Sequence, residues 1–368
     1  MEIDYLIVGA GLFGSVFARE ATNRGFKCLV IDKRDHIAGN CFTEKKDNID
    51  IHKYGPHIFH TNSKEIWDYV NQFTEFNSFI NRPKVNYQNK IYSFPINLMT
   101  LNQLWGVKTP REALEKLRYV KVDIQNPKNL EEWILSQVGK QIYQTFIYGY
   151  TKKQWGMEPK ELPSEIIKRL PIRFSFDDNY YFDKYQGIPV NGYTDLVEKM
   201  LDGIEVEINV DYFEKRDYFD SIARKVVYTG PIDRFFNYLH GELEYRSISF
   251  ETEKLDIDDY QGNAVINYTS YDIPFTRIIE HKHFTPNKKI DCTYITKEFS
   301  QKWNKGVDPY YPINNDRNMS IFQKYKKLID YRKYIFGGRL AEYRYYDMHQ
   351  VIGSSLSTFK KQISGNHD

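Results

Sequence analysis

Near the start of the chain, Gly9-Ala10-Gly11-Leu12-Phe13-Gly14 has the G-x-G-x-x-G spacing, and Asp32 follows eighteen positions after the last glycine. These residue types suit a dinucleotide. The first glycine permits a tight turn, the second lets backbone approach a pyrophosphate, and the third allows a helix to pack closely on a sheet. The following helix would offer its amides and positive dipole to the anion, and Asp32 would take ribose hydroxyls. The fingerprint by itself leaves NAD and FAD open. Two further features favour a tightly held flavin: the segment from Lys33 through Gly39 to Asn40 directly after Asp32, and the late turn Gly337-Gly338-Arg339. With no second fingerprint to hold a nicotinamide cofactor beside it, the flavin would depend on an external reductant.

His52, His57 and His60 invite a metal, but no cysteine or acidic ligand stands among them at a zinc-like spacing, and no metal is expected. His281 and His283 alternate as on a strand and read as structural. No carboxylate pair has an obvious acid and base assignment. The 30 tyrosines and 24 phenylalanines are a marked excess. Tyrosine offers a flat face together with a hydroxyl, which suits a buried polar ligand such as a sugar.

Elements must hold these residues in place. Ile3 to Val8 is an apolar run ending in glycines; Ser15 to Arg24 reads as helix and Lys27 to Ile31 as strand, making a βαβ unit of a parallel sheet. Helical periodicity follows over Ser63 to Phe79, Pro110 to Leu117 and Leu130 to Gln154. Ile142, Phe146 and Tyr150 fall on one helical face. Beyond Tyr180 the segments Val206–Val210, Lys225–Thr229, Tyr245–Phe250, Ala264–Tyr268 and Arg277–Ile279 are short and β-branched or aromatic, which implies an antiparallel sheet beside the first domain. Tyr334 to Arg339 and a helix from Met348 to Ile363 return to strand, glycine turn and helix. The class expected is α/β: a discontinuous Rossmann-like FAD-binding domain (1–80, 205–240 and 325–368), a helical domain (81–165) and an antiparallel β-sheet substrate domain (166–204 and 241–324).

Composition removes other classes. The 368 residues carry 51 basic and 49 acidic side chains of interspersed sign, so no nucleic-acid partner is indicated. The start of the chain lacks the pattern of a signal peptide, and no stretch reads as a spanning helix, so no membrane partner is expected. Three cysteines without C-x-x-C spacing suit a reducing compartment, and the cytoplasm is expected.

Seven segments carry more specific information: Tyr54-Gly-Pro-His-Ile-Phe-His-Thr61, Gly149-Tyr-Thr-Lys-Lys-Gln-Trp155, Leu162-Pro-Ser-Glu-Ile-Ile-Lys-Arg-Leu-Pro171, Tyr185-Gln-Gly-Ile-Pro189, Gln261-Gly-Asn-Ala-Val-Ile-Asn-Tyr268, Thr276-Arg-Ile-Ile-Glu-His-Lys-His283 and the stretch from Gly337 to His349. In order across almost the whole chain, they resemble the bacterial UDP-galactopyranose mutase family. The resemblance implies a flavoenzyme that interconverts UDP-galactopyranose and UDP-galactofuranose for galactofuranose-containing surface polysaccharide. It implies no net redox change, activity only with reduced FAD, attack of the flavin N5 on the anomeric carbon, and a homodimer.

Residue by residue, the resemblance implies that Arg169 and Arg277 hold the diphosphate, with Arg169 in a loop that closes over substrate. A forked, permanently charged guanidinium suits that task. Phe146, Tyr150, Thr151 and Trp155 would receive the uridine and border the sugar. Tyr180, Tyr310 and Tyr345 would reach the phosphates, and Asn81 and Asn267 would stand near substrate. His60 would lie beside flavin and sugar, and His57 and Ile58 in the same flavin-lining loop. Arg246 and Arg339 would put positive charge near the flavin, Asp347 would set the Tyr345 ring, and Met348 would open a helix at the pyrimidine edge. With Gly9, Gly11, Leu12, Phe13, Gly14, Asp32, Lys33, Gly39, Asn40 and Gly338, these complete the expected cofactor set. Two alternatives remain: a redox flavoenzyme of the amine-oxidase type sharing the dinucleotide domain, and a binding module that holds flavin and UDP without turnover. The arginines and tyrosines suit a nucleotide diphosphate and would serve no purpose for an apolar amine.

Overall fold

A computed structural model describes residues 3–164, 172–285 and 290–365. Arg169 and most of its loop lie outside them. Ile3–Val8 is apolar except for Asp4 and central in a five-stranded parallel sheet, as suits a strand covered on both faces. The order is Tyr334–Phe336, Ala223–Tyr228, Ile3–Val8, Cys28–Ile31 and Glu205–Glu207. Of two segments expected in the antiparallel sheet, Val206–Val210 therefore contributes Val206 and Glu207 to the parallel one and Lys225–Thr229 all but its last residue. β-branched composition does not record a strand's neighbour; here helix Arg216–Ile222 lies between the two strands and provides a crossover length of chain.

Helix Leu12–Asn23 packs on the sheet and on the C-terminal helix Met348–Ser364, where the Phe17 and Phe359 rings meet edge to face at 5.4 Å. Ser355 Oγ donates to the Phe13 carbonyl at 2.8 Å across this contact. Helix Gly192–Met200 buries Tyr193, Leu196, Val197 and Met200 in the same core.

The second sheet has seven strands in the order Tyr311–Pro312, Tyr245–Leu255, Thr293–Lys302, Arg277–Glu280, Val265–Tyr268, Lys84–Tyr87 and Lys90–Ser93. It is antiparallel except where Val265–Tyr268 runs parallel to Lys84–Tyr87. The last two strands form a hairpin inside the stretch expected to be helical. Gln88 and Asn89 between them both have positive φ, 51° and 62°, the two-residue turn that matches strand twist.

Three helices of the middle segment start on side-chain caps. Asn97, Thr109 and Asn129 accept from the third residue of Leu98–Trp105, Pro110–Val120 and Leu130–Ile142. The single helix expected from Leu130 to Gln154 is broken. Gly139 has φ +76°, and a Cβ there would lie 2.3 Å from the Val120 carbonyl oxygen. Tyr143–Tyr148 is then π-helical before Gly149–Trp155 resumes the α form. The wider π turn rotates later residues. Ile142 and Phe146 consequently share the helical core with Tyr92 and Leu101, and Tyr150 leaves that face.

Candidate active site

The glycine turn opens a cavity of about 610 Å³ that runs past Gly9, Gly11, Asp32, Gly39, Arg339 and Met348. Gly9 has φ +112°, and a Cβ on it would lie 2.0 Å from Thr229 Oγ1. Gly14 is equally confined, with the Gly9 carbonyl oxygen 2.0 Å from an added Cβ; at Gly11 the nearest atom is Gly39 Cα at 3.8 Å. Gly14 is thus the packing glycine, and Gly11 leaves open backbone beside the cavity. Helix Leu12–Asn23 has no side-chain cap and no acid in its first turn, which suits a bound anion. The Asp32 carboxylate accepts from the amides of Ala10 at 2.8 Å and Arg34 at 2.9 Å, locking the two loops together. These features fit an adenine dinucleotide.

Among the expected cofactor residues, Leu12, Phe13, Gly14, Lys33, Asn40, His57 and Gly338 also line this cavity. Ile58 is instead buried in the core. Arg246 faces a smaller cavity with Trp155 and Arg277 and donates to Ser300 Oγ at 3.1 Å. Sequence reading missed Arg34, which pairs with Asp308 at 2.7 Å and covers the Tyr54 ring at 4.6 Å. It also missed Thr229, Arg234, Tyr238 and Trp303, which come from remote segments to line the cavity.

The second cluster centres on Arg277. Its Nε lies 3.1 Å from Glu298 Oε1, and its Nη2 donates to Tyr150 Oη at 2.8 Å. Burial works against its charge, but the Glu298 carboxylate together with Tyr150, Tyr311 and Tyr180 outweighs this and raises its pKa. Burial pushes the Tyr150 phenol up to about 12, so it keeps a proton to donate to an anion. Glu298 stands directly opposite Arg277 in strand register, a position that spacing does not reveal.

Tyr311, not Tyr310, joins this group: its ring is 5.8 Å from Tyr345, and it lines the smaller cavity with Arg277 and Tyr150. Tyr310 is buried toward Phe250, 5.9 Å away, and toward Arg34 and Tyr54. Arg339 lies 5.0 Å from the Tyr345 ring centre. Burial, with Tyr311 and Asp347 adding to it, holds the Tyr345 phenol protonated. Phe146 is buried against Tyr92 at 5.5 Å and stacks at 6.4 Å on Phe94, itself 6.3 Å from Tyr180. Tyr180 is 42% exposed, and its amide donates to the Asn81 carbonyl. Asn81, Thr151 and Asn267 are buried, and Asn267 donates to Lys84 O at 3.4 Å.

His60 stacks on Tyr181 at 3.7 Å and bonds Asp183 through Nδ1. Its Nδ1 being committed, Nε2 is left toward His349, whose ring is 5.1 Å away. His60, Asp347 and His349 bring donor atoms to within 4.8 Å of one another, a grouping the sequence spacing does not show.

A family model described as UDP-galactopyranose mutase matches residues 145–345, and one described as an NAD(P)-binding Rossmann-like domain matches residues 7–73. A Klebsiella pneumoniae protein named as a probable UDP-galactopyranose mutase is 42% identical over 98% of this chain and 94% of its own. The chain belongs to the UDP-galactopyranose mutase family. It is thus an isomerase, and its family implies a flavin cofactor. An Escherichia coli protein named dTDP-fucopyranose mutase is 40% identical over 99% of both chains. A crystal structure of reduced UDP-galactopyranose mutase superposes with a TM-score of 0.75 over 100% of this chain and 96% of that one, at 13% identity. A putrescine oxidase shares the fold at a TM-score of 0.59 over 99% of both chains, at 11% identity.

Proposed function

We propose that the chain interconverts UDP-galactopyranose and UDP-galactofuranose on a reduced FAD, with no net redox change. The observation that carries this reading is the buried Arg277 guanidinium, fixed by Glu298 and Tyr150 beside Tyr311 and Tyr345. Two of its edges are held, and the remaining N–H donors can grip a diphosphate that must be retained yet leave C1. Tyr150, Tyr311 and Tyr345 keep their protons and add donors. Arg169, outside the described residues, is assigned to the diphosphate on the resemblance alone. FAD, when bound and reduced, supplies the N5 nucleophile for C1. Asp183 holds the His60 ring at one nitrogen, leaving the other to exchange a proton with sugar hydroxyls.

The product would feed galactofuranose-containing surface polysaccharide. A cytoplasmic homodimer supplied by an external flavin reductant is the setting the resemblance supports. The three cysteines are free, and no described helix is long and apolar enough to cross a membrane. The relative named for dTDP-fucopyranose supports a second substrate reading, because a diphosphate is common to both nucleotides.

The test is chromatography of the flavin-loaded protein with UDP-galactofuranose and, separately, dTDP-fucopyranose, with and without dithionite. Conversion of the galactose nucleotide only under reduction, lost in Arg277→Ala with flavin retained, is expected. Preferred turnover of the fucose nucleotide would move the substrate assignment. Turnover of neither by reduced, flavin-replete protein would overturn the mutase reading in favour of an oxidase.

A further inference from the structure

Lys153 sits on helix Gly149–Trp155, between Tyr150 and Trp155, and is part-buried. Its ammonium contacts four backbone carbonyls: Tyr268 at 2.6 Å, Ser270 at 2.9 Å, Ile273 at 3.0 Å and Phe275 at 2.9 Å. Among the described residues no carboxylate forms an ion pair with it. An ammonium has three N–H donors, so four carbonyls at these distances surround a charge and do not merely receive separate hydrogen bonds. Such a shell of carbonyl oxygens also binds a bare potassium ion.

The Tyr268 carbonyl ends strand Val265–Tyr268, and the other three belong to the connection from it to strand Arg277–Glu280. The last of them, on Phe275, is two residues before Arg277. The helix contributes Tyr150, which bonds Arg277. Between helix and loop there is no spare room: a Cβ on Gly149 would lie 2.3 Å from the Thr269 carbonyl oxygen. Thr269 Oγ1 also donates to the Thr145 carbonyl at 2.6 Å. Carbonyls turned toward one point repel one another unless a cation stands there. Burial draws the Lys153 pKa down to about 8, with the Asp272 carboxylate pulling the other way.

We propose that Lys153 is a positioning residue acting as a tethered monovalent cation: its ammonium fills a four-carbonyl site and thereby fixes the Tyr150 helix against the Arg277 strand. It touches neither flavin nor sugar in this role. Its effect falls on diphosphate binding, through the geometry of the Tyr150–Arg277 pair. This inference rests on the mutase reading.

The test is Lys153→Ala, assayed as reduced holoenzyme in lithium, sodium, potassium and ammonium chloride at equal ionic strength. The expected result is a KM for UDP-galactofuranose raised about tenfold or more in lithium, as misplacement of binding groups produces. Flavin content should match wild type, kcat should change less than KM, and potassium or ammonium should restore most of the loss. A KM equal to wild type in lithium, or a raised KM that no cation lowers, overturns the proposal. Should the variant fail to fold in lithium, recovery of soluble, flavin-binding protein in potassium supports it, and recovery in none of the salts overturns it. Wild type is run alongside. If wild type itself does not turn over, the mutase reading fails, and the cation dependence is read from UDP affinity instead.

Discussion

Gly11 and Gly14 stand three residues apart, and the structure assigns them opposite failures on substitution by alanine. Gly11 has φ −78° and ψ −178°, which any residue adopts, and an added Cβ comes no closer to a described protein atom than 3.8 Å. Alanine loses up to about 1 kcal/mol as a helix cap and regains about 0.4–1 kcal/mol from a less mobile unfolded chain. The apoprotein should therefore melt within about 4 °C of wild type. The new methyl does, however, occupy the space over which a pyrophosphate would reach the helix amides. Losing one charge-assisted hydrogen bond there costs about 1.5–3 kcal/mol, a weakening of FAD affinity of about ten- to a hundredfold. Gly14→Ala is the reverse case: its Cβ would lie 2.0 Å from the Gly9 oxygen and 2.8 Å from Ile7 Cγ2, forcing helix from sheet. Overpacking of this kind costs about 1–3 kcal/mol in fold stability. Calorimetric titration of FAD into each apoprotein, with melting curves of the same samples, separates the two. A Gly11→Ala protein that binds FAD as wild type does would refute the placement of the pyrophosphate.

Other outcomes follow from the same geometry. Tyr150→Phe removes the acceptor for Arg277 Nη2 and should weaken UDP binding about tenfold, through the loss of a bond to a charged group, with flavin content unchanged; titration of UDP checks it, and unchanged affinity would show that the pair plays no part in binding. Tyr311→Phe should raise KM about fivefold while Tyr310→Phe leaves it within about twofold, as the loss of one hydrogen bond implies; steady-state assays showing the reverse order would return the site to Tyr310. Acid should destabilise the fold before its carboxylates titrate. Burial draws His57 down to about 4 and His281 to about 3, below the ordinary 6.5. The unfolded chain then binds more protons than the folded one, so stability falls as pH drops below 6.5. Each histidine contributes about 1.4 kcal/mol per pH unit until its folded pKa is reached. Melting temperatures that stay level from pH 7 to 5 would contradict neutral burial.

The dinucleotide turn was legible in the sequence because its parts are contiguous: strand, glycines, helix and Asp32 lie within 30 residues. The Arg277 site was legible only in part. Tyr311 and Tyr310 are neighbours in extended chain, so their side chains take opposite sides, and only the pairing of Arg246 with Tyr311 decides which one faces the site. Glu298 reaches Arg277 by register across two strands, and its local sequence is that of any charged strand residue. The break at Gly139 and the π turn after it lie inside a pattern that reads as one continuous helix. The parallel pairing of Val265–Tyr268 with Lys84–Tyr87 joins segments about 180 residues apart, beyond what periodicity records.

The cavity that begins at Gly9 is finished by Gly338, Arg339 and Met348, and its first helix is sealed by Met348–Ser364. The glycine turn at Gly9 has a closed pocket only once Gly338 to Met348 have folded back against it. Substitutions that loosen helix Met348–Ser364 from helix Leu12–Asn23, such as loss of the Ser355 hydroxyl, should therefore cost flavin retention along with activity, although they lie far along the chain from the glycine turn.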